Sequence, residues 1–370
     1  MKNDQLNHQV ALTLLDGVGA KYAKLLLAYL GSAENIFENK KDLKISIPGF
    51  AKERFRALDR AKALNRAEPI LNFIEKHDIK TVFFSDKDYP KRLKECGDSP
   101  ILMYYKGNFD FNKKRTIAIV GTRNMTDYGR QIINELLTAI APYDVQVVSG
   151  LAHGVDGYTH QKCLELGIST IGVLGHGLDR VYPAQNRKLA IKMMNTEGCG
   201  LLTEFPNNTN PDRENFPQRN RIVAGMVDAT IVIESNDRGG SLITALLAND
   251  YNREVFAFPG NIDRPYSRGC NQLIAQNKAQ LVTCGADIIR LLNWEYDADI
   301  KNKQFDLFEG LEGEEKSIAE IIKEAGKISM DLLALKLKKP THMLSSLLLS
   351  LELKGVVMSL PGQAYSLSQL

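Results

Sequence analysis

Cysteine is scarce and scattered in this chain. Cys96, Cys163, Cys199, Cys270 and Cys284 are the five present, and no two form a Cys-x-x-Cys pair. That excludes a disulfide-framed domain and a thiolate zinc site, and it predicts reduced thiols in a cytoplasmic protein. Long apolar runs are missing as well. No stretch approaches the roughly 18 residues that mark a membrane-spanning helix. The opening MKNDQLNHQV lacks the apolar centre of a secretory signal. A strong net charge is also absent, since 47 Lys and Arg face 44 Asp and Glu for a formal +3. An anionic partner must therefore be held by a local patch and not by the field of the whole molecule. Internal repeats and low-complexity tracts are lacking too.

What the chain does have is length and alternation. At 370 residues it exceeds one typical core, so two or three domains are expected. In the middle of the chain, apolar runs alternate with amphipathic ones. TIAIV (116–120), VQVVS (145–149), STIGVL (169–174), LLTEF (201–205), ATIVIE (229–234) and EVFAFP (254–259) read as buried parallel strands. Helical patterns lie between them at about 127–141, 155–167, 186–197, 240–251 and 269–278. Strand, crossover helix and strand in repetition predict an α/β fold with a doubly wound, mostly parallel sheet. Such sheets bind ligands beyond the carboxyl ends of their strands, so the residues just after each strand carry most information.

Those strand ends share a chemistry. After the first strand, Gly121 permits close backbone approach and Thr122 and Arg123 offer a hydroxyl and a guanidinium, just where a helix begins. The sequence there is not GxGxxG, so no dinucleotide site is read from it, and a plain turn with Asp127 as N-cap is the competing reading. Ser149 and Gly150 end the second strand. Arg187 and Lys188 follow the third. The loop after the fourth delivers FPQRNRIVAGM (216–226), in which Arg219, Asn220 and Arg221 precede an apolar, tightly packing segment. After the fifth, Gly239 and Gly240 precede Ser241 at a helix start, which forms a cradle of backbone N–H groups suited to phosphate. Several anion-binding devices thus converge on one sheet edge, as a row of phosphates would require. The alternative for either arginine is a structural pair with Glu204, Glu214 or Asp228. Phe216, Tyr128, Tyr182 and Tyr266 lie in or near the same loops and are candidates for stacking on bases.

Two kinds of chemistry find little support. His153, Asp156 and His160 form a local trio, but a zinc or iron site needs three or four converging ligands, and structural or capping roles are the better reading. No acid, base and nucleophile stand at fitting spacing in these loops. Glu204 and Glu234 end strands, where each serves equally well as a satisfied structural carboxylate. No metal, cofactor or catalytic residue is therefore expected.

At these residues the chain resembles the DNA-processing protein A family, DprA or Smf. The likeness runs over AIVGTRNMTDYG, VSGLAHGVDGYTH, VLGHGLDRVYP, FPQRNRIVAG, GGSLITALLA and FAFPGNIDRPYSRGCNQLI, and it includes YPKRLKECGDSPILMYYKG (89–107). It implies an extended Rossmann-like domain that binds single-stranded DNA without strong sequence preference, protects incoming strands during natural transformation and loads the RecA recombinase. It also implies a homodimer that is not an enzyme. By motif, Arg123 and the Arg219–Asn220–Arg221 stretch fall in the DNA pocket, lined by Gly150 and the Gly239–Ser241 turn. A lysine often follows the Tyr-Pro of the third-strand loop in this family. Here Ala184 follows Pro183, so that contact is either absent or supplied by Arg187 or Lys188.

The ends have a different texture. Residues 1–85 are mostly helical in pattern and hold 14 basic against 10 acidic residues. Gly17-Val18-Gly19 between two helical patterns resembles a helix-hairpin-helix, with a second turn in IPGFAKERFRAL (47–58), so a helix-hairpin-helix or SAM-like domain is expected. It serves either DNA contact or packing between domains. An acidic, weakly patterned stretch over 294–315 reads as a linker, and GVVMSLPGQAYSL (355–367) reads as two short strands around a Pro-Gly turn. The resulting division is 1–85, 86–295, a linker over 296–312 and a winged-helix-like module over 313–370. Residues 317–370 hold no arginine, and THMLSSLLLSLELKG (341–355) has only His342 and Lys354 as basic residues. A protein contact or a weak duplex contact is expected there, not sequence-specific readout.

One enzyme class remains as an alternative. RGGSLITALLA resembles the Gly-Gly phosphate loop of the lysine-decarboxylase-like nucleoside-monophosphate phosphoribohydrolases, in which a glutamate follows the loop. Here Thr244 to Ala248 supplies no acid.

Overall fold

The computed structural model describes residues 2–38, 52–294, 313–337, 339–354, 356–360 and 364–367. Residues up to Trp294 form one compact unit and those from Glu295 onward form another. In the first unit, helices α1 (Lys2–Thr13), α2 (Ala20–Leu30), α3 (Ala33–Glu38), α4 (Lys52–Arg56) and α5 (Arg60–Lys76) come before any strand. Then come β1 (Lys80–Phe83), α6 (Lys91–Lys94), β2 (Leu102–Gly107), β3 (Arg115–Val120), α7 (Asp127–Ile140), β4 (Val145–Ser149), α8 (Val155–Leu166) and β5 (Ser169–Val173). The unit continues with α9 (Arg187–Met194), β6 (Gly200–Thr203), α10 (Asn215–Gly225), β7 (Ala229–Val232), α11 (Gly240–Asp250) and β8 (Glu254–Ala257). It closes with α12 (Arg268–Ala275), β9 (Gln280–Leu281) and α13 (Gly285–Leu291).

The nine strands form one sheet in the order β1-β2-β6-β5-β4-β3-β7-β8-β9. From β6 to β9 every pairing is parallel, while β1 pairs with β2 and β2 with β6 in antiparallel fashion. Buried strands in such a sheet put alternate residues into two cores. In β3, Ile117 and Ile119 join the core beneath α7, α8 and α13, whereas Ala118 and Val120 join the opposite core with Ile222, Val223 and Ala245. The helix faces follow the same logic. In α7, Ile132, Ile133, Leu136, Leu137 and Ile140 fall on one stripe at helical spacing and are all buried. Chain direction across the sheet reverses at β3, with β4 on one side and β7 on the other. The crevice beyond the carboxyl ends of these strands is the switch point at which doubly wound sheets receive ligands.

The strands expected over 116–259 are all present, each ending within a few residues of its expected limits. The strand β2 escaped the sequence reading, since LMYYKG carries no clean alternation. The expected domain boundary at residue 85 falls between β1 and β2, which pair with each other and contribute Phe83, Leu102 and Tyr104 to the core of α1–α5. The helical segment and the sheet thus share buried side chains. Gly17, with φ +77°, makes the turn between α1 and α2, and the Arg54 guanidinium donates to its carbonyl. Part of the second expected hairpin turn, residues 47–51, lies outside the described residues.

The second unit holds α14 (Glu314–Ala325), β10 (Lys327–Ser329), α15 (Met330–Leu337), α16 (Thr341–Leu353), β11 (Val357–Leu360) and β12 (Ala364–Leu367). Its three strands form a sheet in the order β10-β12-β11, with antiparallel pairing throughout. This is a winged-helix arrangement, and the two strands expected over 355–367 are β11 and β12. The acidic linker expected over 296–312 lies outside the described residues. Among those that are described, no helix is long and apolar enough to cross a membrane.

Candidate nucleic-acid interface

A cleft of ≈ 790 Å³ opens beyond the carboxyl ends of β3, β4 and β7. Of the residues expected at the site, Gly121, Thr122, Arg123, Gly150, Arg219, Asn220, Gly239, Gly240 and Ser241 line it. The cleft also takes in Arg213, Arg238, Asn236 and Tyr266, which the sequence reading passed over or weighed only as aromatics. Both missed arginines were visible, Arg238 immediately before the Gly-Gly turn and Arg213 within the loop that leads to α10. Four guanidinium groups face this space, and Asp156 is its one lining carboxylate. Arg123, Arg213 and Arg238 are exposed and make no ion pair among the described residues.

Arg219 is the buried member, at 8% exposure. Its Nη1 donates to Val173 O at 2.7 Å, where β5 ends, and its Nε donates to Asn220 Oδ1 at 3.0 Å. A Cβ on Gly150 would collide with both the Arg219 guanidinium and the Asp156 carboxylate, so glycine there is what lets the two charges share the space. Burial pulls the Arg219 pKa down, and the charge of Asp156 opposes that shift. The Asp156 carboxyl is pushed up by the same burial, against the pull of Arg219. Each charge alone would be costly at this depth, and each relieves the other.

The loop after β3 is fixed by Glu234, which is buried at the end of β7. Its carboxylate accepts from Thr126 N at 2.9 Å and from Thr126 Oγ1 at 2.6 Å, and Thr122 N donates to its carbonyl at 2.7 Å. The helix cap is Thr126, not the Asp127 of the plain-turn alternative, and its hydroxyl accepts from Gly129 N. These bonds hold Arg123 at the rim, with its guanidinium 5.4 Å from the centre of the Phe216 ring. Phe216 in turn lies beside Tyr182, their centroids 6.2 Å apart and their planes tilted by 32°. Tyr182 is 44% exposed and lines the cleft, where its ring is available to a base. Tyr266 accepts from Asn124 Nδ2 at 3.0 Å through its hydroxyl, and Tyr128 donates to Pro259 O away from the cleft.

Across the cleft, Ser241 Oγ donates to Ser235 Oγ at 2.8 Å at the start of α11. A Cβ at Gly239 would strike Ser235 Oγ, while one at Gly240 would meet open space. The first N–H groups of a helix lack intrahelical acceptors, so this turn presents donors to the cleft. Asn220 Nδ2 reaches Gly240 O at 3.4 Å and ties α10 to that turn.

Four expected site residues stand elsewhere. Arg221 does not enter the cleft. Its guanidinium bonds to Glu204 and to Asp98 O, and both side chains of the ion pair are 14% exposed. Residues two apart on a helix point to opposite sides, so Arg219 and Arg221 cannot share one face of α10. This is the structural pairing with Glu204 that was the alternative reading. Burial raises the Glu204 carboxyl, which Arg221 opposes. Ser149 is fully buried, with Oγ donating to Ile119 O at 2.6 Å, so it braces the sheet. Arg187 and Lys188 are exposed at the start of α9, and Lys188 borders a separate groove.

The histidine–aspartate trio is dispersed. His160 is enclosed, with Nδ1 2.7 Å from Thr170 Oγ1 and Nε2 2.7 Å from Gly150 O, and burial pulls its pKa down to about 4. It carries the floor beneath Gly150 as a neutral ring. Asp156 faces Arg219, and His153 is exposed. Among the described residues, no group of three or more His, Cys, Asp or Glu is arranged to hold a metal ion.

Comparison with known proteins agrees with this arrangement. The family profile "DNA recombination-mediator protein A" matches residues 80–293, and "DprA winged helix domain" matches residues 309–363. Protein Smf of Synechocystis is 35% identical over 289 residues, or 76% of this chain and 71% of that protein. DNA processing protein DprA of Bacillus subtilis is 39% identical over 224 residues, or 60% of this chain and 74% of its own. The solved structure of DprA from Streptococcus pneumoniae superposes with a TM-score of 0.63 at 30% identity, over 80% of this chain and 99% of that one. DNA processing protein A from Helicobacter pylori, whose structure was described for its single-stranded DNA binding mode, superposes with a TM-score of 0.53 at 28% identity over 59% of this chain and 97% of that one. With matching profiles over both its sheet domain and its winged helix, the chain belongs to the DNA-processing protein A (DprA/Smf) family.

Proposed function

We propose that the cleft binds single-stranded DNA, and that the protein protects such strands and loads RecA recombinase onto them during transformation and recombination. The observation that carries this reading is the lining of the cleft, where four arginines face one carboxylate beside the exposed ring of Tyr182. Phosphates suit the arginines and the glycine turn, and a base suits the tyrosine face, a pairing that is tolerant of sequence. Binding without strong sequence preference follows, because phosphate contacts carry no sequence information.

No catalytic role is assigned. Glu234 is engaged in holding the start of α7, and Glu204 is paired with Arg221. In α11 the first acid after the Gly-Gly turn is Asp250, at the far end of the helix. A phosphoribohydrolase glutamate has no counterpart beside the cleft. A homodimer fits the exposed Ile243 and Leu246, which border a groove between α11 and α12.

The test is an equilibrium titration of a labelled oligo-dT against a duplex of equal length, followed by RecA filament assembly on strands precoated with single-strand-binding protein. Preference for the single strand and faster filament assembly are expected. Release of free base from nucleoside monophosphates, without oligonucleotide binding, would instead favour the phosphoribohydrolase reading.

A further inference from the structure

A second space lies beside the cleft. A groove of ≈ 730 Å³ runs between the starts of α7, α8 and α9, and Arg130, His153, Lys188 and Lys192 line it without any carboxylate among the lining residues. The turn 152–154 stands between it and the cleft. Ala152 lines the cleft and His153 lines the groove, while His153 also borders a narrow space that contains Arg123, Tyr182 and Arg219. The turn is firmly held. Asn186 Nδ2 donates to Leu151 O at 2.8 Å and to Ala152 O at 3.2 Å, which fixes the start of α9 against it.

We propose that this groove continues the path of the nucleic acid, so that a single strand leaving the cleft crosses the turn at His153 and runs on along α9 over Lys188 and Lys192. The proposal rests on the reading of the cleft as a single-strand site. Three observations favour a polynucleotide over a small anion. The groove is open to solvent, as a chain requires. Its cations, Arg130 on α7 and Lys188 and Lys192 on α9, are spread over two helices and do not converge on one point. Its walls also carry amides, Gln161 and Gln185, that suit sugar and base edges. The nearby acids Asp127 and Glu165 do not line it. Asp127 pairs with Arg130 at 3.2 Å, with its side chain 98% exposed, and Glu165 pairs with Lys162 at 3.3 Å. Exposed pairs of this kind are weak and yield readily to phosphate.

The groove also gives a place to the basic residues after the third strand. Lys188 and Lys192 are four apart on α9, so they share a helix face. A strand lying on that face meets both.

The experiment compares oligo-dT of about 6 and about 25 nucleotides, bound by the full chain and by the Lys188→Ala, Lys192→Ala variant across a salt series. Both lysines are solvent-exposed, and unchanged thermal unfolding confirms the fold of the variant. The long oligonucleotide should lose about tenfold in affinity, with a salt slope shallower by about 1.4, because each single-strand phosphate contact contributes about 0.7. The short one should stay within about twofold of wild type. Unchanged affinity and slope for the long oligonucleotide would overturn the proposal. So would a parallel loss for both lengths, which would assign the lysines to the cleft itself. Failure of the wild-type protein to bind either length would remove the single-strand reading along with this one, and that outcome differs from both of the others.

Discussion

Asp156 and Arg219 meet over the bare Cα of Gly150, where a single methyl group would collide with both. The cleft therefore depends on a glycine for its electrostatics and not for a turn. The pair also explains why a buried arginine can stand at a strand end without a second carboxylate.

Gly150→Ala is expected to destabilise the protein by about 1–3 kcal/mol, the usual cost of overpacking a filled site. It should also displace the Arg219 guanidinium and weaken oligo-dT binding by at least about tenfold. Thermal unfolding and a binding titration on the same sample check both effects.

Arg221→Ala should act on stability alone. Glu204 would be left buried without its cation, and breaking such a pair costs on the order of 3 kcal/mol. Glu204→Leu combined with Arg221→Met should recover most of that loss. Oligo-dT affinity of the folded variants should stay within about twofold of wild type, in contrast to the effect of Arg219→Ala. Chemical denaturation and parallel titrations measure the two responses.

Most of the sheet was legible in the sequence, because strands buried on both faces read as unbroken apolar runs such as TIAIV and VQVVS. That the cleft lies beyond the carboxyl ends of the strands followed from that pattern and from the glycines there, while the strand order that puts the switch point at β3 did not. What the sequence did not show was direction. Arg219 and Arg221 are neighbours in the chain, yet the helix sends one into the cleft and the other to Glu204. Ser149 ends its strand beside Gly150, but its hydroxyl turns into the sheet. Strand β2 was hard to read because only Leu102, Met103 and Tyr104 are fully buried, too short an apolar run before Lys106 and Gly107 to stand out. Arg213 and Arg238 lay within stretches already marked as strand ends and were overshadowed by the glycines and the paired arginines.

Tyr182→Ala should lower oligo-dT affinity by the worth of one stacked base, about 1–3 kcal/mol, without altering the salt slope. Tyr182→Phe should retain most of the wild-type affinity, since the ring face and not the hydroxyl makes the contact. A salt-dependent titration separates this loss from the loss of a phosphate contact.

His160 gives the fold a defined pH dependence. Its pKa falls from 6.5 to about 4 on folding, so between those values the unfolded chain binds a proton that the native protein does not. Stability from this group is complete above about pH 6.5 and is lost as pH falls toward about 4. The unfolding midpoint of the wild type should therefore drop more steeply from pH 7 to 5 than that of His160→Gln. The raised carboxyls of Asp156 and Glu204 act in the opposite direction in both proteins and cancel in the comparison.

Removal of residues 310–370 should leave oligo-dT affinity within a few-fold of wild type. The lysines of the winged helix are partly committed to acids, Lys354 to Glu315 at 2.6 Å and Lys339 to Glu314, while Leu335 and Leu349 are exposed. That surface suits a protein contact better than a phosphate backbone. Titration of the truncated protein with the same oligonucleotide checks this.

The most direct test of the cleft as the single-strand site uses its three exposed arginines. Oligo-dT of about 20 nucleotides is titrated with wild type and with Arg123→Ala, Arg213→Ala, Arg238→Ala across a range of salt concentrations. Loss of three phosphate contacts predicts a log–log salt slope shallower by about 2 and a large drop in affinity at low salt. A folded triple variant that keeps both the wild-type affinity and the wild-type slope would contradict the assignment and move the DNA to another surface, first to the N-terminal helices.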